Sequence, residues 1–376
     1  MKNTRNVKKY SFENIDFINS AFLVLTPILL LIFGALWIEI EGFNITVVAF
    51  SVITYILSGI SITAGYHRLF AHKTYDSHPV VKILFLIFGA TAFQNSVLKW
   101  ASDHRQHHSK VDTNDDPYNI NEGFFFAHMG WILLEKNSHV KERYAKDMMK
   151  DKLIMWQHNN YLAIAVVFGV ILPIAICYLL TGGLYGAIAA CLFRIVFVHH
   201  CTFFINSLCH CFGSRPYTDT NTAKDNWFMA FLTFGEGYHN FHHFFQTDFR
   251  NGIRWYHFDP TKWLINILSW ARLASNLKVT SAKRILDAKL SMSIKRIENK
   301  SIFNQYQTEF DEIKLKIMEA FKEIENFKNE LKTKKSNLDK LSLKLAKLKV
   351  QEAKKVLRIQ LVLWQLSIQK VEQNYA

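Results

Sequence analysis

Four apolar segments, each long enough to cross a lipid bilayer, constrain the fold of this chain more than any other feature. They lie at residues 18–38, 43–64, 161–181 and 184–205. A helix needs about 20 apolar residues to span the hydrocarbon core of a membrane. Helices also satisfy their own backbone polar groups there. The sequence therefore predicts an all-α integral membrane protein with four transmembrane helices, in a membrane domain at 17–280.

The distribution of basic residues predicts the orientation of these spans. Lys and Arg are frequent in the 1–16 segment and in the 64–160 loop, whereas the connections at 39–42 and 182–183 contain none. Because Lys and Arg accumulate on the cytoplasmic side of membrane proteins, we expect both termini and the 64–160 loop to be cytosolic. The first span lacks a small-residue cleavage site, which indicates a retained anchor. A bacterial inner membrane and the endoplasmic reticulum both fit this pattern.

A fifth apolar stretch, 79–98, is interpreted differently. It contains Lys82, Gln94 and Asn95. If it crossed the membrane, His72 and His104 would lie on opposite sides. We therefore predict an amphipathic helix that lies in the interface without spanning it.

Nine of the 16 histidines follow apolar segments in a regular pattern. Two H-x-x-H-H motifs begin at His104 and His239, and this spacing places three imidazoles on one helix face. His67 and His72 are five residues apart, which does not fit a single α-helical face and predicts that the second span frays or ends there. The remaining member, His210, comes just after the fourth span.

So many imidazoles with few carboxylates indicate more than one metal ion. Neutral imidazole binds Fe, Zn, Cu and Ni, and a zinc site uses only about four ligands. We therefore predict a pair of redox metals at the cytosolic face, and oxygen chemistry on a lipid. Carboxylates next to the motifs are expected to orient the ligands, with plain surface charge as the alternative; they are Asp103, Asp116 and Glu236.

At these motifs the sequence resembles the membrane Δ9 fatty-acyl desaturases of the stearoyl-CoA type. The shared motifs are G-Y-H-R-L at 65–69, A-F-Q-N at 92–95, W-A-S-D-H-R at 100–105, N-S-L-C-H at 206–210 and G-E-G-Y-H-N at 235–240. The resemblance covers roughly residues 17–263.

The resemblance implies four spans beneath a cytosolic helical cap that holds two Fe²⁺ ions. It assigns as iron ligands His67, His72, His104, His107, His108, His210, His239, His242 and His243, with Asn206 acting through a water molecule. It also implies a kinked acyl tunnel, lined at the kink by Gln94, Trp100 and Thr202 and at its blind end by Tyr55 and Gly59. Contacts to the substrate headgroup would come from Asn95 and Lys136.

The implied activity is O2-dependent insertion of a cis double bond near carbon 9 of a long saturated acyl chain. Ser102 and Glu135 stand where animal relatives carry basic residues that serve the CoA headgroup, so acyl-CoA, an acyl-lipid and acyl carrier protein all stay open as substrates. The sequence has neither an H-P-G-G haem motif nor a four-cysteine ferredoxin spacing. We therefore expect a separate electron donor of the cytochrome b5, ferredoxin or rubredoxin type. The alternatives are a di-iron lipid or alkane hydroxylase, and a non-catalytic lipid- or metal-sensing protein that signals through its tail.

The final segment, 281–376, is a Lys- and Glu-rich tail. It holds 21 Lys or Arg and 12 Asp or Glu, which accounts for most of the net charge of +14. The small positive excess that is left on the rest of the chain does not indicate a surface that binds nucleic acid. Apolar residues recur there at 3-4 spacing from Phe310 to Leu348. This pattern predicts a coiled coil that self-associates or binds a partner. An antiparallel hairpin and a basic helix on anionic lipid are the alternatives.

Overall fold

The computed structural model describes residues 15–134, 143–334 and 340–373. Two compact units divide the chain: a membrane unit, Met1–Arg215 with Asp219–Val279, and a C-terminal unit, Pro216–Thr218 with Thr280–Ala376.

Helices build the membrane unit. In chain order they are α1 (Phe17–Leu36), α2 (Ile45–Ile60), α3 (Pro79–Ala90), α4 (Val97–Lys110), α5 (Lys152–Asn159), α6 (Tyr161–Val166), α7 (Leu172–Thr181), α8 (Leu184–Cys211), α9 (Trp227–Leu232), α10 (His239–Phe244) and α11 (Pro260–Trp270). Two short strands, β1 (Asp76–Ser77) and β2 (Ala274–Ser275), pair antiparallel.

Several of these helices continue through π-helical turns, so that the described residues contain four continuous helices that are long and apolar enough to cross a membrane. They are Phe17–Glu41, Ile45–Ala71, Tyr161–Thr181 and Leu184–Cys211. Large apolar side chains on them are exposed, for example Ile18 at 84% and Leu179 at 81%. Exposed apolar surface of this extent fits contact with lipid. The prediction of an all-α membrane protein with four spans is confirmed.

The second and fourth spans run further than the sequence indicated. The second continues to Ala71 through the π-helical segment Ser61–Ala71, seven residues past its predicted end. The fourth is one helix of 28 residues that ends at Cys211. His210 therefore lies inside this helix and not beyond it.

The predicted 79–98 helix is two helices with a break between them. α3 has 12 residues, about 18 Å of helix at 1.5 Å per residue, which is too short for a hydrocarbon core of about 30 Å. After it, Phe93 and Asn95 adopt the left-handed backbone conformation, with φ of 55° and 72°. This conformation cannot continue a right-handed helix, and Ser96 then caps α4 by accepting a hydrogen bond from the Lys99 amide.

The C-terminal unit contains three helices, α12 (Ala282–Lys295), α13 (Phe303–Lys334) and α14 (Lys340–Gln373). α13 and α14 run antiparallel, because the Phe310 ring lies 5.2 Å from Trp364 while the Phe327 ring lies 5.7 Å from Lys349 Nζ. The predicted heptad residues Phe310, Ile313 and Ile317 are buried in the core of this unit. They therefore pack within the chain, as in the antiparallel hairpin that the sequence allowed, and a coiled coil between chains stays a prediction.

Candidate metal centre

A π-helical turn brings the first two predicted ligands together. The backbone N–H of His72 donates to the carbonyl of His67 at 3.0 Å, which closes an i→i+5 turn. Their ring centroids are 4.8 Å apart. The expectation that the α-helix stops near this point is right, but the chain does not fray. It changes pitch, and the wider turn aligns residues five apart.

The two H-x-x-H-H motifs lie on α4 and α10, and each is divided between two clusters of imidazoles. His104 and His108, four residues apart, join one cluster, whereas His107 joins the other. On α10 the arrangement is reversed, because His239 and His243 join the second cluster and His242 the first. The expectation that all three imidazoles of a motif point to one place is therefore too simple.

All nine predicted histidines meet in these clusters, which we name by their members. The first histidine group is His67, His72, His104, His108 and His242; the second histidine group is His107, His210, His239 and His243. Within each group every candidate ligand atom lies within 4.8 Å of every other. The four members of the second group are all buried.

The spacing of the ring nitrogens suits metal ions. Nε2 atoms face one another at 3.0 Å for His67 and His242, and at 2.8 Å for His72 and His104. In the second group, Nε2 of His239 lies 3.1 Å from Nε2 of both His210 and His243. Metal–nitrogen bonds of about 2.1 Å held at right angles place neighbouring nitrogens about 3 Å apart. The donor set therefore fits one metal ion in each group.

The protonation states of these imidazoles also suit metal binding. Burial lowers the pKa of His239 to about 3, and the neighbouring imidazoles of His107 and His67 add to the effect. Burial and imidazole neighbours likewise hold the pKa well below its ordinary value for His72, His104, His108, His242 and His243. These rings are neutral at pH 7, and neutral imidazole is the form that binds a metal.

Two of the three predicted carboxylates contact Nδ1 of a histidine in one of the two groups. Asp116 Oδ1 lies 2.8 Å from His107 Nδ1, and Glu236 Oε2 lies 2.8 Å from His67 Nδ1. A carboxylate that accepts a hydrogen bond from Nδ1–H keeps the proton on Nδ1 and leaves the Nε2 lone pair free for a metal. Asp103 is half-buried beside His104 on α4, and its role stays a prediction.

Other supporting groups were not predicted. The Thr222 hydroxyl lies 2.7 Å from His210 Nδ1, and the same residue is held by the Asp112 carboxylate, which accepts from its backbone N–H at 2.7 Å. The Tyr118 hydroxyl lies 3.4 Å from His104 Nδ1. Asp112 and Thr222 are 110 residues apart and belong to no local motif, so the sequence carries no signal that pairs them.

A buried ion-pair network supports Glu236. Arg68, which is 1% exposed, contacts Glu236 Oε1 at 2.9 Å and Asp259 Oδ1 at 3.0 Å through Nη2. Asn251 donates to the other oxygen of Glu236 at 2.6 Å. Burial alone would raise the pKa of Glu236, but Arg68 and His67 outweigh it and hold the pKa at about 2. Glu236 is therefore ionised at any working pH.

A partly open cavity adjoins both histidine groups. It is lined by His67 and His104 of the first group and His239 of the second, and also by Tyr55, Gly59, Ile62, Thr63, Trp100, Val198, Cys201, Thr202, Ile205, Asn206, Leu232, Thr233, Phe234 and Glu236. The lining includes four of the five predicted tunnel residues, and its walls are mostly apolar. Clefts with mostly apolar walls and a few polar groups bind small apolar ligands.

The fifth predicted tunnel residue, Gln94, connects two of the others. Its side chain accepts from Trp100 Nε1 at 3.2 Å and donates to Thr202 Oγ1 at 3.0 Å. Trp100 in turn stacks on His104, with centroids 4.9 Å apart. This chain of contacts fixes the cavity wall to the first histidine group.

Both residues predicted for the blind end of the tunnel contact Phe234. The Tyr55 ring lies 5.4 Å from it, and the Tyr55 hydroxyl donates to the Leu232 carbonyl. A Cβ on Gly59 would lie 2.3 Å from Cε2 of Phe234. Glycine is therefore required for this close approach.

Three predicted site residues remain, and the structure describes two of them. Asn206 lines the cavity one helical turn before His210. Asn95 is exposed at the break between α3 and α4. Lys136 lies outside the described residues, and the roles of Asn206, Asn95 and Lys136 stay predictions.

Comparison with known proteins gives consistent matches. The family model described as fatty acid desaturase matches residues 43–267. Acyl-CoA desaturase 1 of Saccharomyces cerevisiae is 41% identical over 259 residues, which cover 68% of this chain and 51% of that protein. This chain thus matches about half the length of that yeast relative.

Two further relatives are matched over more of their length. The Delta(9)-fatty-acid desaturase fat-6 of Caenorhabditis elegans is 36% identical over 69% of this chain and 76% of its own. The sn-1 stearoyl-lipid 9-desaturase of Anabaena variabilis is 34% identical over 67% of this chain and 91% of its own.

Proposed function

This chain belongs to the fatty acid desaturase family, and on that premise we propose that it inserts a cis double bond, at Δ9, into a long saturated acyl chain. The observation that carries the proposal is the cavity, because its mostly apolar walls adjoin both histidine groups. Such a cavity can hold a methylene chain beside two metals. Relatives named as Δ9 desaturases support the position of the double bond.

We propose that two Fe²⁺ ions occupy the centre, one in each histidine group. Four imidazoles make up the second group against five in the first, and Asn206 would complete the second through a water molecule. When bound, the irons supply the redox chemistry that lets O2 remove two hydrogens from the acyl chain. O2 takes up these two hydrogens together with two electrons and two protons from the donor and solvent, which gives two molecules of water and leaves the double bond in the chain.

The residues of the chain position the substrate and keep water away. Ile62, Val198 and Ile205 give the cavity apolar walls, which favours a dry methylene chain over water. Gln94 and its partners Trp100 and Thr202 hold the wall at a fixed distance from His104, so the same two methylenes lie nearest the centre in each turnover. The outer partners Glu236, Asp116 and Thr222 hold the imidazoles in the tautomer that presents Nε2 inward.

The relatives and the motifs of the sequence support a proposal for the acyl carrier and for the electron donor. Relatives are named for acyl-CoA and for a stearoyl-lipid, and we propose acyl-CoA, with an acyl-lipid or acyl carrier protein as the other possibilities. The electrons would come from a separate protein of the cytochrome b5, ferredoxin or rubredoxin type.

We further propose that the metal-bearing cap and both ends of the chain are cytosolic. His67 and His210 lie near the ends of the second and fourth spans, so both groups lie on one side of the membrane. The basic residues of the 1–16 segment and the 64–160 loop support the cytosol as that side.

The decisive experiment is expression in a host that lacks its own desaturase, followed by fatty-acid chromatography and localisation of the double bond. A new Δ9 monoene is expected, with about two irons per purified chain. His107→Ala should abolish the product. His78→Asn is the matched control, because His78 only caps α3 and Asn can replace it there.

The same experiment separates the alternatives. A di-iron lipid or alkane hydroxylase would give an alcohol, and a lipid- or metal-sensing protein would give no new product. Either result, obtained with an iron-loaded chain, would contradict the proposal.

A further inference from the structure

Helix α14 in the C-terminal unit has apolar side chains on two opposite faces. One face is buried in the unit and includes Val350, Ala353, Trp364 and Val371. The other set is between 41% and 53% exposed and consists of Leu345, Leu348, Val356, Ile359, Val362, Leu363 and Leu366. At 3.6 residues per turn these seven lie within an arc of roughly 120° on the side opposite Trp364. We call them the outer stripe.

Basic residues accompany the outer stripe. α14 carries eight Lys or Arg and two Glu, whereas its partner α13 carries six Lys and seven acidic residues. Positive charge is therefore concentrated on the helix that exposes apolar surface. Five of the basic residues gather along one edge of the stripe: Lys347, Lys354 and Arg358 lie between it and the buried face, and Lys344 and Lys355 lie at its margin.

This combination of an apolar stripe and a basic flank is complementary to anionic lipid. An interfacial helix buries its apolar side chains among lipid headgroups while Lys and Arg contact the phosphates. Two copies of this chain joined through the outer stripe would instead bring their basic flanks together, and like charges repel. The four spans of the same chain also keep α14 near a bilayer at high effective concentration.

We propose that α14 binds the surface of a membrane rich in anionic phospholipid, with the outer stripe inserted at headgroup depth and the basic flank on the phosphates. The C-terminal unit then acts as a lipid-sensing attachment. The proposal depends on the membrane location of the chain and not on its reaction.

The test uses the full chain reconstituted in vesicles of phosphatidylcholine, with or without phosphatidylglycerol. A polarity-sensitive fluorophore is attached through Ile359→Cys in the outer stripe, or through Gln365→Cys as the matched control. Gln365 is exposed on the same helix about 120° away from Ile359, on the basic flank and outside the outer stripe, so its label would lie at the phosphates and not among the inserted apolar side chains. The unsubstituted chain, labelled in parallel, gives the background from the five native cysteines, four of which are buried.

With phosphatidylglycerol present, the label at 359 is expected to shift its emission to the blue. Nitroxide-labelled lipid should quench it several-fold more strongly than the label at 365. Replacing Lys354, Lys355 and Arg358 together by Gln should reduce quenching at 359 to the control level, because each basic residue near an anionic surface contributes to binding. Circular dichroism confirms that each variant keeps its helices.

Equal quenching at 359 and 365 in anionic vesicles would overturn the proposal. A second result would also overturn it: a blue shift at 359 that nitroxide lipid does not quench and that increases with the number of chains per vesicle. Such a result would indicate that the outer stripe contacts a second copy of the chain.

Discussion

Each imidazole that faces inward through Nε2 needs a partner on Nδ1, and this partner determines which nitrogen carries the proton. Glu236, Asp116, Thr222 and Tyr118 supply such partners. They differ in charge, so their contributions differ as well. A carboxylate fixes the tautomer and adds negative charge behind the ring, whereas a hydroxyl provides mainly orientation.

Thr222→Val tests orientation by a neutral partner. The variant keeps the shape of the side chain but removes the hydroxyl that lies 2.7 Å from His210 Nδ1. Loss of an outer partner of a metal-binding His lowers metal affinity or activity by roughly 10- to 100-fold. Iron content and turnover should fall together, measured by metal analysis and product formation. Thr181→Val is the control, because this hydroxyl donates to the Cys177 carbonyl and accepts from the Gly183 N–H, far from the histidines in sequence. Equal iron content in both variants would contradict this role for Thr222.

Glu236→Gln tests the buried ion pairs. The variant leaves Arg68 with Asp259 as its remaining carboxylate and removes the negative charge beside His67. Breaking one partner of a buried pair lowers the free energy of unfolding by about 3–5 kcal/mol. Because the pKa of Glu236 is about 2, this contribution is complete above the ordinary carboxyl pKa and is lost only as the pH falls towards 2. The loss should therefore be the same from about pH 6 to pH 8.

The measurement is thermal unfolding in detergent across that pH range. Asp147→Asn is the comparison, because Asp147 is 41% exposed in its pairs with Lys73 and Arg105. Exposed pairs contribute about 1 kcal/mol or less. A loss for Glu236→Gln no larger than for Asp147→Asn would show that the buried network does not stabilise the fold.

At the scale of helices and their junctions, the sequence predicted the positions of the apolar helices well. It did not predict where a helix changes from α-helical to π-helical pitch or where it breaks. Hydropathy located all four spans, and the motifs located all nine clustered histidines. The π-helical segment Ser61–Ala71 and the break after α3 were not predicted. Both make tertiary contacts that no local pattern in the sequence encodes. At the break Arg194 donates to the Thr91 carbonyl, and in the π-helical segment Arg68 pairs with Asp259.

Gly59→Ala tests the packing of the second span against Phe234. A Cβ there would lie 2.3 Å from the Phe234 ring, so the ring must move into the cavity that both residues line. The product distribution should shift towards shorter acyl chains, measured by gas chromatography of the fatty acids. Gly34→Ala in the first span is the control, because its Cβ would meet nothing within 4 Å. Phe234→Leu added to Gly59→Ala should restore the original chain length.

Tyr55→Ala is the opposite change at the same place. It removes a ring that packs between Phe197 and Phe234 and enlarges the cavity, so longer acyl chains should be accepted. An unchanged chain-length preference in this variant would remove Tyr55 from the proposed end of the tunnel.

For the whole molecule, the division into two units allows chemistry and attachment to be separated. The histidine groups and the cavity belong entirely to the membrane unit. The C-terminal unit has its own core, to which Leu290, Ile297 and Trp364 contribute. The heptad pattern predicted a coiled coil but could not show whether the partner helix is in the same chain, and α13 and α14 pack against each other within this unit.

Deletion of residues 280–376 should therefore leave desaturation intact. The cut precedes α12, so it removes the helices of the C-terminal unit without opening their core. A cut at residue 293 would leave most of α12, with Ile285 and Leu290 exposed in place of buried, and this shorter deletion is expected to aggregate. Product per iron-loaded chain, measured in neutral detergent, should match the full chain for the 280–376 deletion. Complete loss of turnover at full iron content would show that the C-terminal unit takes part in the reaction. Loss of turnover together with loss of iron would have another meaning. The deletion removes Lys289, which packs against Tyr217, and this result would indicate that the change disturbs the loop that carries Thr222.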